Sequence, residues 1–300
     1  MPLDRGAQRL LRMLAAAGQG AGVSRTVAER RRALESLAEM VDAAPDGAIE
    51  TRDLTIGDIG ARLYTPETAG GGLIVYFHGG GWVAGSLTTH DGVCRRLALA
   101  SGHKLLAVDY LLAPEHPFPA ACEDALVAVR WAAAHAGSLC FDPARLAVAG
   151  DSAGAGLAAM VAQSQDRPAL ALQLLICPIL DVSRQSASRA EFADGYFLDQ
   201  ATLAADLADY CAGRDLADPR LSPLLADALT GQPPALIHTA EFDPFRDEGE
   251  AYAQRLADAG CEIRHTRHDG MIHYFYAMPR AIPHAETALA AIGAEIAALL

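Results

Sequence analysis

The chain has 300 residues, 51% of them hydrophobic and 20% charged, with 37 acidic against 24 basic side chains and a net charge of −13. That length and apolar content suffice for a sizeable core, in one large domain or two smaller ones. The acidic balance, relieved only by the basic run Arg30-Arg31-Arg32, disfavours phosphate backbones and anionic lipid surfaces, and no stretch approaches the ~20 consecutive apolar residues of a membrane span. Neither nucleic acid nor integral membrane association is therefore expected. Cys94, Cys122, Cys140, Cys177, Cys211 and Cys261 lie far apart and without a C-x-x-C pair. They read as buried free thiols in a reducing compartment, so a cytoplasmic location is expected.

Residues 1–42 carry two helical patterns, Leu10, Leu14 and Ala17, then Val27, Leu34, Leu37 and Val41, on either side of a glycine-rich break at Gly18 to Gly22. These helices precede every strand, so the segment 1–45 is expected as a helical cap, with a surface-packed arm as the alternative. From Ala48 to Tyr64 alternation replaces helical spacing around Gly57-Asp58-Ile59-Gly60, which predicts an antiparallel hairpin. Short apolar runs follow at 73–77, 104–108, 145–149, 172–177 and 235–239, of the kind found in strands buried on both faces. A last strand is expected at 262–266. Helical stretches at 120–136, 153–163 and 246–259 separate most of these runs. The pattern predicts an α/β fold, a mostly parallel sheet flanked by helices, over residues 46–300. Within it, residues 181–219 are too long for a plain loop and hold their own helix at 200–211 behind Asp199 as N-cap, so a cap insertion is expected there.

In such sheets the chemistry lies beyond the C-terminal ends of the strands. Gly150-Asp151-Ser152-Ala153-Gly154 runs from strand into helix and fits the G-x-S-x-G elbow, in which small residues on both sides of the serine let strand and helix approach closely. Acyl transfer by a serine needs a base for the hydroxyl proton, an acid to orient that base, and N–H donors for the oxyanion. Asp243, in the loop ahead of the next helix, is preferred to Glu241 as the acid. His273 follows the last strand in the loop Gly270-Met271-Ile272-His273, whereas His265 and His268 lie on or near that strand and His284 opens a helix. Three consecutive glycines, Gly79 to Gly81 after the first buried strand, leave backbone N–H groups unshielded, and the Ala153 N–H joins them. Two rival chemistries are weaker. Gly154-Ala155-Gly156-Leu157-Ala158-Ala159 fits a dinucleotide fingerprint but begins after the turn into the helix has started. His265 and His268 would face opposite sides of a strand, so no metal is expected, and no cofactor.

Together these residues resemble bacterial esterases of the hormone-sensitive lipase group, within the α/β-hydrolase superfamily. The resemblance spans roughly residues 48–300 and rests on His78-Gly79-Gly80-Gly81-Trp82, the stretch from Asp109 to Ala120, the Ser152 elbow, Ser222-Pro223-Leu224, Asp243-Pro244-Phe245-Arg246-Asp247-Glu248 and Gly270-Met271-Ile272-His273. It implies the α/β-hydrolase fold, Ser152 as nucleophile with Asp243 and His273 as partners, and the N–H groups of Gly80, Gly81 and Ala153 as oxyanion hole. It further implies that the N-terminal helices and the 181–219 insertion cap an acyl pocket, for which Trp82, Tyr196, Phe197 and Tyr274 are the expected side chains. Leu111, Ala155 and Tyr274 depart from the family, which usually has arginine at the first position and often glycine at the other two. The function expected is a serine carboxylesterase acting on a small ester with a short to medium acyl chain through an acyl-enzyme. The alternatives are hydrolysis of a small amide or lactone, as in arylformamidases, and a non-catalytic ligand-binding member of the fold. The oligomeric state is left open, a homodimer included.

Overall fold

The computed structural model describes residues 1–18, 25–43 and 45–300, so the glycine-rich break falls, beyond Gly18, outside the described residues. Helices α1 (Arg5–Ala16) and α2 (Val27–Val41) open the chain. Asp4 accepts from the N–H groups of Gly6 and Ala7, and Thr26 and Glu29 form a reciprocal capping box, so orphan donors at both helix starts are satisfied. Strands β1 (Ile49–Ile56) and β2 (Ile59–Pro66) form the expected antiparallel hairpin. Then follow β3 (Leu73–Phe77), α3 (Asp91–Ser101), β4 (Lys104–Asp109), α4 (Ala120–Ala134), the short α5 (Ala136–Leu139), β5 (Leu146–Asp151), α6 (Ala153–Gln163) and β6 (Leu172–Ile176). The last third holds α7 (Ala187–Glu191), α8 (Gln200–Cys211), β7 (Ala235–Phe242), α9 (Arg246–Asp258), β8 (Ile263–Ile272) and α10 (His284–Leu299).

The eight strands form one sheet in the order β1-β2-β4-β3-β5-β6-β7-β8, antiparallel through β1, β2 and β4 and parallel thereafter. Val75 at the centre of β3 lies in register with Leu106 on one side and Val148 on the other. Every residue of β3 and of β5 is buried, as a sheet covered on both faces requires. Alternate residues feed two cores: Val75, Phe77 and Val148 pack with α4, α6 and α9, while Ile74 and Tyr76 pack with α1, α2, α3 and α10. The chain leaves β3 for β4 on one side and enters β5 on the other, so the loops after β3 and β5 diverge at a crevice where ligands of open α/β sheets bind.

Two elements differ most from the sequence reading. The last strand runs to Ile272 instead of ending at 266, because β8 is an edge strand in which Arg264, His265, Thr266 and Arg267 are all exposed, and this hides its alternation. Helix α3 was not anticipated: His90 makes no side-chain cap for it, and only Gly102, left-handed at φ 65°, marks its end. The N-terminal segment is tied to the far end of the chain. Asp4 N–H donates to the Gly270 carbonyl at 2.9 Å, and a Cβ on Gly6 would lie 2.4 Å from the Ala281 carbonyl oxygen. Across the crevice Arg30 of α2 pairs with Asp206 and Asp209 of α8.

Candidate active site

Ser152 stands between β5 and α6 at φ 52°, a left-handed conformation costing an L residue roughly 1–3 kcal/mol. Its neighbours explain how the turn closes. A Cβ on Gly150 would lie 2.4 Å from backbone atoms of Gly154, and one on Gly154 would lie 2.0 Å from the Phe77 carbonyl oxygen. Both contacts are with backbone, which cannot swing aside, so the close approach of α6 to β3 and β5 demands glycine twice. Ser152 N–H donates to Ile176 O at 2.9 Å and its carbonyl accepts from Ile179 N–H at 3.1 Å, fixing the elbow to the end of β6.

Asp243 and His273 follow the ends of β7 and β8. The Asp243 Oδ2 to His273 Nδ1 distance is 2.8 Å and the His273 Nε2 to Ser152 Oγ distance is 3.0 Å. Asp243 is fully buried, and its other oxygen accepts from the Phe245 N–H at 2.8 Å. Glu241 lies at the register shift between β7 and β8 and turns away, accepting from the Gly270 N–H at 2.7 Å and pairing with the Met1 amine. The other histidines are elsewhere: His268 lies 3.2 Å from both His238 and His284, and His265 is 3.0 Å from the Thr239 hydroxyl.

The Gly80 and Gly81 backbones are left-handed, at φ 120° and 64°, and among the described residues their N–H groups and that of Ala153 meet no acceptor. The loop is held from beneath by Asp151, a residue to which the sequence reading gave no role. Its wholly buried carboxylate accepts from the Gly79 N–H at 2.9 Å, Tyr76 Oη at 2.6 Å and Tyr276 Oη at 2.8 Å, with His90 Nε2 at 3.3 Å. Burial alone would raise its pKa, but the His90 charge and the hydrogen bonds outweigh that and hold it at about 2.

The family described as alpha/beta hydrolase fold matches residues 74–277. The chain is an α/β hydrolase of the hormone-sensitive-lipase-like family. Carboxylesterase NlhH of Mycobacterium tuberculosis is similar to this hydrolase at 40% identity over 284 residues, covering 90% of this chain and 87% of that one. Carboxylic ester hydrolase LipN of the same species is 44% identical over 239 residues, 73% of this chain and 62% of its own, so the hydrolase spans about three fifths of that relative. Among solved structures, the ester-hydrolase EH1AB1 from the metagenome of Lake Arreo, complexed with a derivative of bipyridine phosphonate, superposes with a TM-score of 0.91 at 40% identity, covering 99% of this chain and 98% of that chain.

In this hydrolase a cavity of about 160 Å³ borders Ser152, His273, Gly80 and Gly81, walled by Leu34 and Leu37 of α2 and by Phe197, Leu198 and Leu203. Leu198 and Leu203 also line a second cavity of about 230 Å³ against Val182, Leu207 and Pro244. Of the four expected pocket side chains, Phe197 and Tyr274 border the first cavity and stack on each other, with centroids 5.9 Å apart. The other two are corrected: Trp82 is buried flat against Tyr210 at 4.5 Å, and Tyr196 stacks on Phe242 at 5.6 Å, so neither ring reaches the cavity beside Ser152. Tyr274 sits at φ 65°, which accounts for glycine being common at this position. Its ring is buried and its hydroxyl has no partner among the described residues. Asp206 faces the Gly79–Gly81 loop, where a Cβ on Gly81 would lie 2.5 Å from its Oδ2. Burial pushes the Asp206 carboxyl up to about 7 despite Arg30, which weakens the negative charge it presents to that loop.

Proposed function

We propose that this carboxylic ester hydrolase works by serine acyl transfer, with Ser152 as nucleophile, His273 as general base and then acid, and Asp243 as the carboxylate that orients it. The reading is carried by the unbroken chain from Asp243 Oδ2 through both ring nitrogens of His273 to Ser152 Oγ, with steps of 2.8 and 3.0 Å. His273 Nε2 takes the hydroxyl proton as Oγ attacks the ester carbonyl. The N–H groups of Gly80, Gly81 and Ala153 receive the oxyanion, and the proton then passes to the departing alcohol, leaving an acyl-enzyme that water cleaves by the same route. Helix α2 and the 181–219 segment act as a cap over an apolar acyl pocket whose volume, about 160 Å³, suits short to medium chains. The six unpaired cysteines support a cytoplasmic setting, and no helix among the described residues is long and apolar enough to cross a membrane.

The test is hydrolysis of 4-nitrophenyl esters by the wild type and Ser152→Ala, alongside labelling by an organophosphonate. The wild type should turn over and be labelled. The variant should lose at least about 10³-fold in kcat while keeping its circular dichroism, and a variant hydrolysing near the wild-type rate overturns the assignment.

A further inference from the structure

Cys177 takes no part in the proposed reaction, yet the fold holds it in a costly conformation beside the reacting groups. It follows β6 at φ 45°, in the left-handed region, and is 1% exposed. Its N–H donates to the His238 carbonyl at 2.7 Å, which pins it to β7. One ligand atom each of Cys177, Asp243 and His273 lie within 4.8 Å of one another, and all three residues are buried. The His273 ring also borders the substrate cavity, so the cluster lies directly beneath the cavity wall. A thiol, a carboxylate and an imidazole are the ligand types that zinc and its thiophilic relatives take. Ligand atoms of a tetrahedral zinc stand about 3.4–3.6 Å apart, given bonds of about 2.1–2.3 Å. Asp243 Oδ2 and His273 Nδ1, 2.8 Å apart, need to open by about 0.6–0.8 Å, and the sulfur needs to close by at most about 1.4 Å to complete three corners.

We propose that a thiophilic divalent cation, zinc or cadmium, inhibits this enzyme reversibly by binding Cys177 Sγ, the Asp243 carboxylate and His273 Nδ1. The inference rests on His273 being the base. The Cys177 S–H bond breaks, its proton leaves to solvent, and the sulfur electron pair bonds the ion. The Nδ1 proton of His273 is lost to solvent as Nε2 gains one, so the imidazole stays neutral, its Nδ1 lone pair bonds the ion, and one proton is released per ion. Nε2 then presents N–H to Ser152 Oγ and cannot accept the hydroxyl proton. The ion thus stops turnover without covering the serine, and it supplies no step of hydrolysis.

The experiment titrates zinc or cadmium chloride into the wild type and Cys177→Ser in metal-free buffer. It follows 4-nitrophenyl ester hydrolysis and, with cadmium, the ultraviolet thiolate-to-metal charge-transfer band. Each protein is compared with its own rate without ion, so a change in basal rate does not blur the result. The wild type should be inhibited at least about tenfold, with recovery on adding a chelator, and Cys177→Ser should need at least about tenfold more ion for half-inhibition. The band should fall by one thiolate equivalent in the variant, any remainder belonging to exposed Cys140 or half-exposed Cys261. Should the serine variant not fold, Cys177→Ala takes its place. Equal half-inhibition of both proteins, or a wild type untouched at millimolar ion, overturns the proposal. A wild type that hydrolyses no ester in the absence of ion instead overturns the parent reading, and the charge-transfer band still reports on the site.

Discussion

Replacing Asp151 by asparagine asks how much the buried carboxylate beneath the elbow contributes. The change keeps the shape and removes the charge. An asparagine oxygen can still accept from Tyr76 and Gly79, but the NH₂ group meets the Tyr276 hydroxyl and His90, so acceptor sites filled in the wild type are lost. Holding the carboxyl at about 2 instead of its ordinary 3.8 corresponds to ~2.5 kcal/mol at about 1.4 kcal/mol per pKa unit. A hydrogen bond to a charged group is worth about 1.5–3 kcal/mol, so a total loss of ~2–4 kcal/mol is expected, lowering Tm by roughly 3–6 °C. Because the folded-state value is depressed, this stabilisation is fully present above about pH 4 and is lost as pH falls through about 2. The deficit of Asp151→Asn in urea unfolding should therefore be largest at neutral pH and shrink in acid. Since Asp151 positions Gly79 and through it the Gly80 and Gly81 donors, kcat should fall about 10- to 100-fold, with KM changing less. A variant with wild-type Tm and kcat, or with a deficit that grows in acid, refutes the reasoning.

Four further outcomes follow from the same geometry. Gly154→Ala places a Cβ 2.0 Å from the Phe77 carbonyl oxygen and should cost at least about 3 kcal/mol, read as a lost thermal transition or insoluble protein, whereas a folded, active variant would contradict the close approach of α6. Leu203→Ala trims one of the side chains shared by the cavities of about 160 and 230 Å³, so kcat/KM measured from acetate to laurate esters should shift towards longer acyl chains, each methylene newly accommodated being worth about 1–3 kcal/mol. Tyr274→Phe deletes a buried hydroxyl without a partner and should raise stability by ~1 kcal/mol in a urea titration, while Tyr274→Gly, freed of strain at φ 65°, should favour bulky esters over acetate.

The central strands were legible because burial on both faces leaves no alternation to confuse, and β3, β5 and α6 lie where the apolar runs and the elbow put them. The residues at Ser152, Asp243 and His273 could be picked out because each follows a strand end in the order nucleophile, acid, histidine that α/β hydrolases use. Other features had no such signal. The β8 edge strand reads as a polar loop from Arg264 to Arg267, and α3 lacks a side-chain cap. Asp151 occupies a variable position of a five-residue motif, and its four partners come from segments separated from it by 61 to 125 residues. No local pattern announces such a network. Cys177 was read as one buried thiol among six, because its neighbours Asp243 and His273 approach it only once β6, β7 and β8 are side by side. Trp82 and Tyr196 were misplaced because aromatic character does not say which side of a wall a ring occupies.

The anchoring of α1 has a consequence for how the molecule comes into being. Synthesis delivers α1 long before the groups that seat it, Gly270 and Ala281, and Arg30 waits for α8, 176 residues later, to neutralise it. Closing such distant contacts is slow relative to local pairing. During translation the apolar side of α1, Leu10 and Leu14, must therefore stay uncovered while the sheet grows. His273 is laid down within three residues of the carbonyl that receives Asp4, so the last group of the proposed triad and the docking point of the first helix leave the ribosome together. Hydrolytic competence and the shielding of the N-terminal helix are in this sense one event, and an unfinished chain has neither.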